Sequence, residues 1–322
     1  MSTPIPSKSI DRRTFVGLSV AGAAGLVLTG RSLAAQPATP APPVLPPVGT
    51  DRWIRIAVKI GMVNTGTTLA EKFAAAKAAG FHGIELDSPG PYQADEVRAA
   101  SERTGIEVHG VVLSTHWSKP FNHPDAGVRA EARAALETAL RDAKTFGATT
   151  VLVVPAVVNQ SMPYAEAYAL AQEAMRAAAP LADELGISIA FENVWNNFLL
   201  SPLEAARFVD ELNEGRSRRT FGWYFDVGNI VNFGWPEQWI DTLGDRTLKL
   251  DIKDFSRRKR DDEGLWNGFG ADIGDGDAGW DRVVVSLRGT GYTGWATAEV
   301  GGGGPERLAD IAARMNRVLE QP

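Results

Sequence analysis

Four acidic residues occupy the same place in four short runs of the chain. Glu192 closes SIAFE, Asp226 closes WYFD, Asp251 sits in LKLDIK, and Glu299 follows WATA. In each run apolar residues alternate with polar or small ones, the period of a strand with one face in a core. Ile187, Ile189 and Phe191 face one way, and Ser188, Ala190 and Glu192 the other. Trp223, Phe225 and Val227 oppose Tyr224 and Asp226; Leu248, Leu250 and Ile252 oppose Lys249, Asp251 and Lys253; Ala296, Ala298 and Val300 oppose Thr297 and Glu299. Four carboxylates gathered in a partly dry site repel one another, so they must take up protons, pair with cations or hold a metal. Pairing would fall to Lys249, Lys253, Lys59 or Arg55. A metal is the preferred reading, because four oxygens from four strands form a cage. With no His or Cys among them the set favours a hard ion, Mn²⁺ or Mg²⁺ ahead of Zn²⁺.

The elements that must position these residues repeat one theme. Strands are predicted over Arg55–Val63, Gly83–Asp87, Glu107–Leu113, Thr150–Ala156, Ile187–Asn193, Phe221–Gly228, Thr247–Asp254 and Gly294–Val300. Helical patterns lie between them. Two end at the stop signals Gly80 and Gly147, and one opens on Ser201 as a cap with Pro202 in its first turn and Glu204 three residues on. Pro180 predicts a kink inside another. Eight strand-then-helix units predict a single α/β domain, a (β/α)₈ TIM barrel, over a doubly wound sheet. In a barrel the apolar strand faces meet the helices, so the charged faces point inward. The four acids then lie on neighbouring strands five to eight, at the C-terminal mouth where barrel active sites form. By the same alternation Ala57 and Lys59 on strand one, and Glu85 and Asp87 on strand two, also point inward.

Five motifs in order, ISIAFENVW, WYFDVGN, LKLDIKDF, IGDGDAGWDRVV and GWATAEV, resemble the sugar phosphate isomerase/epimerase family. That family has xylose isomerase-like TIM barrels and includes ketose 3-epimerases, with the endonuclease IV type of barrel as a relative. The resemblance implies a metal set of Glu, Asp, His and Glu, carried here by Glu192, Asp226, Asp251 and Glu299. Asp251 stands where the family usually has His, and Asn229 where many members have His. Asp is itself a competent ligand. The implied cofactor is a divalent metal, Mn²⁺ first, with Mg²⁺ or Co²⁺ as alternatives. The implied reaction removes the proton between a carbonyl and a neighbouring hydroxyl, the metal stabilising the enediolate. Glu192 and Glu299 match the pair that takes and returns the proton. Lys253 is a third catalytic candidate, able to neutralise an oxyanion, or else a salt-bridge partner of a carboxylate.

Candidates for substrate binding are His116 and Trp117 in LSTHWSKPFNHP, Glu85 on strand two, and Asn193, Trp195 and Asn196 in NVWNNF. His109, within strand three, reads as a satisfied core histidine. RRKRDDE (257–263) reads as a solvated loop, and the surrounding Phe255–Gly279, with Trp266 and Phe269, as a mobile lid. GDGD within it is a poor phosphate cradle, since its two aspartates repel phosphate.

Formal net charge is −6; residues 1–50 carry Lys8, Arg12, Arg13 and Arg31 against Asp11, a sum of +3, which leaves −9 on the rest. An acidic body disfavours nucleic acid and anionic membranes as partners. Cysteine is absent, so disulfide and thiolate chemistry are excluded. SIDRRTFVGLSVAGAAGLVLTGRSLAA has a basic start, a short apolar run and small residues at its end, the layout of a signal peptide. Its Arg12-Arg13 pair resembles a twin-arginine export signal, with cleavage expected after Ala34. A membrane anchor is the alternative, disfavoured by a short, glycine-rich run. The expected organisation is a signal over 1–35, a Pro-rich linker over 36–52 and a barrel over 53–322, in a periplasmic protein with no stable membrane insertion after cleavage, which could self-associate.

With no basic phosphate site in view, the expected substrate is a non-phosphorylated ketose or keto-sugar, and the expected enzyme a metal-dependent sugar isomerase or epimerase. The same site acting on a 3-keto-glycoside would be a lyase, expelling the aglycone by β-elimination. A non-catalytic periplasmic sugar-binding protein is the alternative outside enzymology. An endonuclease IV-like phosphodiesterase is opposed by the acidic body and the lack of His ligands.

Overall fold

The computed structural model describes residues 53–319; the expected signal and linker lie outside them. Eight parallel strands close into a barrel in sequence order, with β8 pairing back on β1. They are β1 Arg55–Lys59, β2 Gly83–Ser88, β3 Glu107–Leu113, β4 Thr150–Val153, β5 Ser188–Glu192, β6 Phe221–Asp226, β7 Thr247–Ile252 and β8 Trp295–Ala298. All eight predicted strands are present, most of them shorter than predicted at their C-terminal ends.

The helices are α1 Leu69–Ala78, α2 Ala94–Thr104, α3 Ala126–Phe146, α4 Tyr164–Leu185, α5 Pro202–Asn213, α6 Val227–Val231, α7 Pro236–Leu243, α8 Arg257–Glu263, α9 Trp280–Gly289 and α10 Pro305–Leu319. Their ends follow local chemistry. Thr68 and Glu71 form a reciprocal capping box on α1, and the Ser201 side chain accepts from Glu204 N at the start of α5. α3 stops at Gly147, whose φ of 83° is the left-handed cap that glycine adopts without strain. α4 runs through Pro180 without ending.

Strand faces sort largely as the alternation requires. Ile56, Val58, Ile84, Leu86, Ile189, Phe191, Phe225, Leu250 and Ile252 join the continuous core between strands and helices. Leu152, Ala190 and Tyr224 form a second, separate cluster. Leu248 corrects the expectation. The β6–β7 register jumps from Trp223↔Thr247 to Tyr224↔Lys249, a bulge that leaves Leu248 out of the pairing. Leu248 therefore packs against this second cluster, over Gly222, where a Cβ would lie 2.4 Å from its Cγ.

One expectation for the stretch after strand seven also changes. Arg257–Glu263 is helical, α8, capped by the Ser256 side chain, and buries none of its residues. The stretch that follows is gathered around one buried carboxylate. Asp254, 1 % exposed, accepts from the backbone N–H of Phe255, Gly274 and Ala278 and from Trp280 Nε1, at 2.9–3.1 Å. The GDGD glycines thus close around an internal anion, the Asp254 carboxylate.

Candidate active site at the barrel mouth

Four strand ends bring the acids together. Glu192 and Asp226 are the last residues of β5 and β6, Asp251 is next to last in β7, and Glu299 directly follows β8. Each offers one oxygen, and these oxygens all lie within 4.8 Å of one another. Asp226 and Asp251 are fully buried and Glu192 is 6 % exposed. Asn193 fixes the Asp226 backbone: its Oδ1 accepts from Asp226 N at 2.9 Å and its Nδ2 donates to Asp226 O at 2.7 Å. Asp226 Oδ1 in turn accepts from Asn229 N at 2.7 Å, capping α6.

Two lysines enter the cluster. Lys59, the last residue of β1, lies 3.0 Å from Asp251 Oδ2 and 2.7 Å from Glu299 Oε1. Lys253 lies 2.7 Å from Glu299 Oε2 and 2.9 Å from Asp226 Oδ2. Both are charge neighbours named in the sequence reading. The other two serve elsewhere: Lys249 binds His109, and Arg55 pairs with Glu107. Lysine pairing is therefore part of the site, and it is incomplete. Four carboxylates against two ammoniums leave two negative charges.

Electrostatics records this imbalance. Burial, reinforced by the charge on Glu299, pushes the Glu192 carboxyl far above its usual range; burial does the same to Asp251 and lifts Asp226 to about 7. Burial also works against Glu299, but the Lys59 and Lys253 ammoniums outweigh it and hold that carboxyl well below the usual range. Both lysines are raised, the surrounding carboxylates overcoming burial.

The residues fit a divalent ion. Asp226 Oδ2 and Asp251 Oδ1 are buried without a hydrogen-bond donor, Lys253 Nζ being near the former but out of hydrogen-bond alignment. Such orphaned oxygens are costly unless a cation meets them. Oxygens sharing one hard ion at about 2.0–2.6 Å lie no more than about 5 Å apart, which the spacing here satisfies. The residual charge equals that of one divalent cation.

Above the carboxylates opens a cavity of about 700 Å³, lined by Lys59, Glu192, Lys253 and Glu299 and walled by His116, Trp117, Trp195, Asn229, Trp266 and Phe269. His116 is 6 % exposed and, through burial and then the Lys59 charge, its imidazole is lowered to about 4. Trp195 is held by its Nε1, which donates to Asn229 O at 2.9 Å.

Three candidates for substrate contact do not reach this cavity. Glu85, 1 % exposed, accepts from Tyr224 OH at 2.8 Å, below the mouth. Asn193 is consumed by Asp226 and Trp223, and Asn196 donates to Ala156 O at 2.7 Å. Polar residues of a strand-end turn satisfied backbone groups before any ligand could claim them. His109 is the satisfied core histidine expected, bonded to Lys249 and Thr297 and stacked on Trp295. Lys59 was one of four basic residues named as possible partners of the acids; which of the four reach the cluster depends on barrel geometry that the sequence does not display. Trp266 and Phe269 as cavity walls carried no periodic signal, since they lie on a 3₁₀ turn, Leu265–Gly270.

A model of the xylose isomerase-like TIM barrel family matches residues 73–319, and the chain belongs to that family. A curated protein named "Putative hydroxypyruvate isomerase", from Streptomyces coelicolor, is 26 % identical over 265 residues, covering 76 % of this chain and 90 % of its own. Among solved structures, a D-tagatose 3-epimerase-like protein superposes with a TM-score of 0.69 at 17 % identity, over 83 % of this chain and 97 % of that one. The 3-keto-D-glucoside 4-epimerase of E. coli gives 0.67 at 15 % identity, over 82 % and 98 %. The IOLI protein, solved with a bound zinc atom, gives 0.68 at 17 % identity, over 83 % and 98 %. At such identities these likenesses speak for the fold.

Proposed function

We propose that this protein is a divalent-metal-dependent sugar isomerase or epimerase acting on a non-phosphorylated ketose or keto-sugar. The observation that carries this reading is the mouth cluster, with four convergent carboxylates, two lysines and two buried oxygens without donors. The names of the curated relative and the epimerase neighbours agree with it. Glu192, Asp226, Asp251 and Glu299 would hold the ion, Mn²⁺ being our first choice. When bound, it supplies Lewis-acid polarisation of a substrate carbonyl and an adjacent hydroxyl.

The chain's own residues do the rest. A carboxylate at the cavity floor takes the proton from the carbon beside the carbonyl, and the C–H electron pair becomes the enediolate double bond. Return of a proton on the opposite face inverts that carbon; return at the neighbouring carbon completes an isomerisation. Glu192 and Glu299 serve as this pair. Glu192 faces the cavity with no lysine or arginine paired to it among the described residues, whereas both oxygens of Glu299 are held by ammoniums. Lys253 and Lys59 stabilise developing negative charge at the floor. Among the described residues the cavity is lined by two lysines, these two, both engaged by carboxylates, so the described lining offers no free lysine for a phosphate. The size of the cavity also favours a second reading. In a 3-keto-glycoside the same proton loss at C2 sends its electron pair into a C1–C2 double bond and expels the C1 aglycone. Export through residues 1–35 to the periplasm belongs to the same proposal.

The test is turnover in D₂O of the Mn²⁺-loaded protein with free ketoses and 3-keto-glycosides, read by NMR after chelation. Deuterium at a carbon next to the carbonyl, lost in Glu192→Gln, is expected. The absence of both deuterium uptake and aglycone release with every one of these substrates overturns the reading.

A further inference from the structure

The mouth carries more aromatic surface than one sugar ring needs. Trp266 is 68 % exposed and Trp117 53 %, yet both line the cavity whose floor holds Glu192 and Glu299. Trp266 leans on Trp195, with ring centroids 4.9 Å apart and planes at 40°, and Phe269 closes the same wall 5.0 Å from Trp195.

The wall is built, not incidental. Ser256 N donates to Gly268 O at 2.8 Å, Lys259 Nζ to Gly270 O at 2.6 Å, and Asn267 Nδ2 to Glu263 O at 2.6 Å. Gly268 lies so close to Phe255 that a Cβ there would be 2.3 Å from its ring. The turn bearing Trp266 is thus pressed onto the barrel. A contiguous group of aromatic rings on a cavity wall, here Trp266, Trp195 and Phe269, is the mark of a recognition surface.

Size and charge narrow the ligand. A cavity of about 700 Å³ lies in the roughly 300–1,000 Å³ range that encloses a drug-sized molecule, well beyond the dozen or so heavy atoms of one hexose. Its cations are engaged at the floor, so the aromatic end is suited to a neutral ring.

We propose that Trp266, Trp195 and Trp117 form a subsite for a second ring, so that the substrate is a glycoside carrying an aromatic or sugar-ring substituent. This rests on the sugar reading above, and it names the class of sugar. A protein partner on the same surface would cover the catalytic floor, which favours a small ligand as occupant.

The experiment compares phenyl β-D-glucopyranoside with methyl β-D-glucopyranoside by calorimetry, on the full chain in excess Mn²⁺. The phenyl glycoside should bind about three- to tenfold tighter, the size of one aromatic contact. Trp266→Ala should abolish that preference and Trp266→Phe should keep most of it. Equal affinities, no binding by either glycoside, or a preference that survives Trp266→Ala overturns the proposal. So does a Trp266→Ala protein that keeps the preference but changes its elution volume, which assigns the patch to self-association. The two readings fail separately. A phenyl preference with neither deuterium uptake nor aglycone release from any sugar keeps the subsite and removes the enolising chemistry; deuterium uptake without a phenyl preference does the reverse.

Discussion

Replacing Lys59 by Met removes one of the two cations at the mouth while keeping most of the side chain's bulk. Its ammonium serves Asp251 at 3.0 Å and Glu299 at 2.7 Å, and its side chain is only 18 % exposed. Removing one partner of a buried pair costs about 3–5 kcal/mol. Proton uptake by the remaining acids limits the loss, so we expect the lower end, about 3 kcal/mol. At about 2.1 cal/mol/K of unfolding entropy per residue, each kcal/mol moves the Tm of a domain this large by about 2 °C, which gives a fall of about 6 °C without metal. Added Mn²⁺ should act in the opposite direction. The variant leaves three uncompensated negative charges where the wild type leaves two, and one unit charge at about 4 Å is worth up to about 4 kcal/mol at an effective dielectric constant of 20. Because a ligand stabilises in proportion to the logarithm of its concentration over Kd, Mn²⁺ should raise Tm more in Lys59→Met than in wild type, recovering at least half of the deficit. Thermal unfolding of both proteins, chelated and with millimolar Mn²⁺, reads this directly. Equal Mn²⁺ shifts in the two proteins, or none in either, would refute the charge accounting.

Three further perturbations test the scaffold. Asp254→Asn leaves a donor where the carboxylate accepts from Gly274 N and Trp280 Nε1, both at 2.9 Å; urea unfolding should show a loss of about 3 kcal/mol or more. Gly110→Ala places a Cβ 2.7 Å from Glu85 Oε1 and 3.4 Å from Lys249 Nζ, and overpacking should cost about 1–3 kcal/mol by the same measurement. His116 titrates at about 4 when folded against about 6.5 when unfolded. Between those values the unfolded chain binds the extra proton, so stability falls as pH drops from about 6.5 to 4, by up to about 1.4 kcal/mol per unit. His116→Gln should flatten that part of the urea-midpoint pH profile; an unchanged slope would show that His116 titrates normally.

Much of this architecture was legible because a period of two is hard to mistake when one face meets helices and the other a barrel interior. Eight such runs alternating with helical patterns left few alternatives, and alternation alone put Glu192, Asp226, Asp251 and Glu299 on one side. Leu248 escaped because a bulge shifts register without leaving a mark in composition. Glu85, Asn193 and Asn196 were assigned to substrate because a polar side chain near a strand end does not reveal which backbone or side-chain groups it will satisfy. The Asp254 anchor was not legible in the sequence: its four donors lie up to 26 residues downstream, beyond the reach of any local pattern. The aromatic wall depends on how the Leu265–Gly270 turn packs against Phe255, a tertiary fact.

The most direct test of the central claim is titration of the metal-free protein with Mn²⁺, following the EPR signal of the free ion. If the carboxylates of β5 to β8 enclose a cation, the free signal stays suppressed until one equivalent has been added, and Asp226→Asn weakens that binding. A free signal that grows in proportion from the first addition, identically in wild type and Asp226→Asn, would mean that the lysines already complete the site.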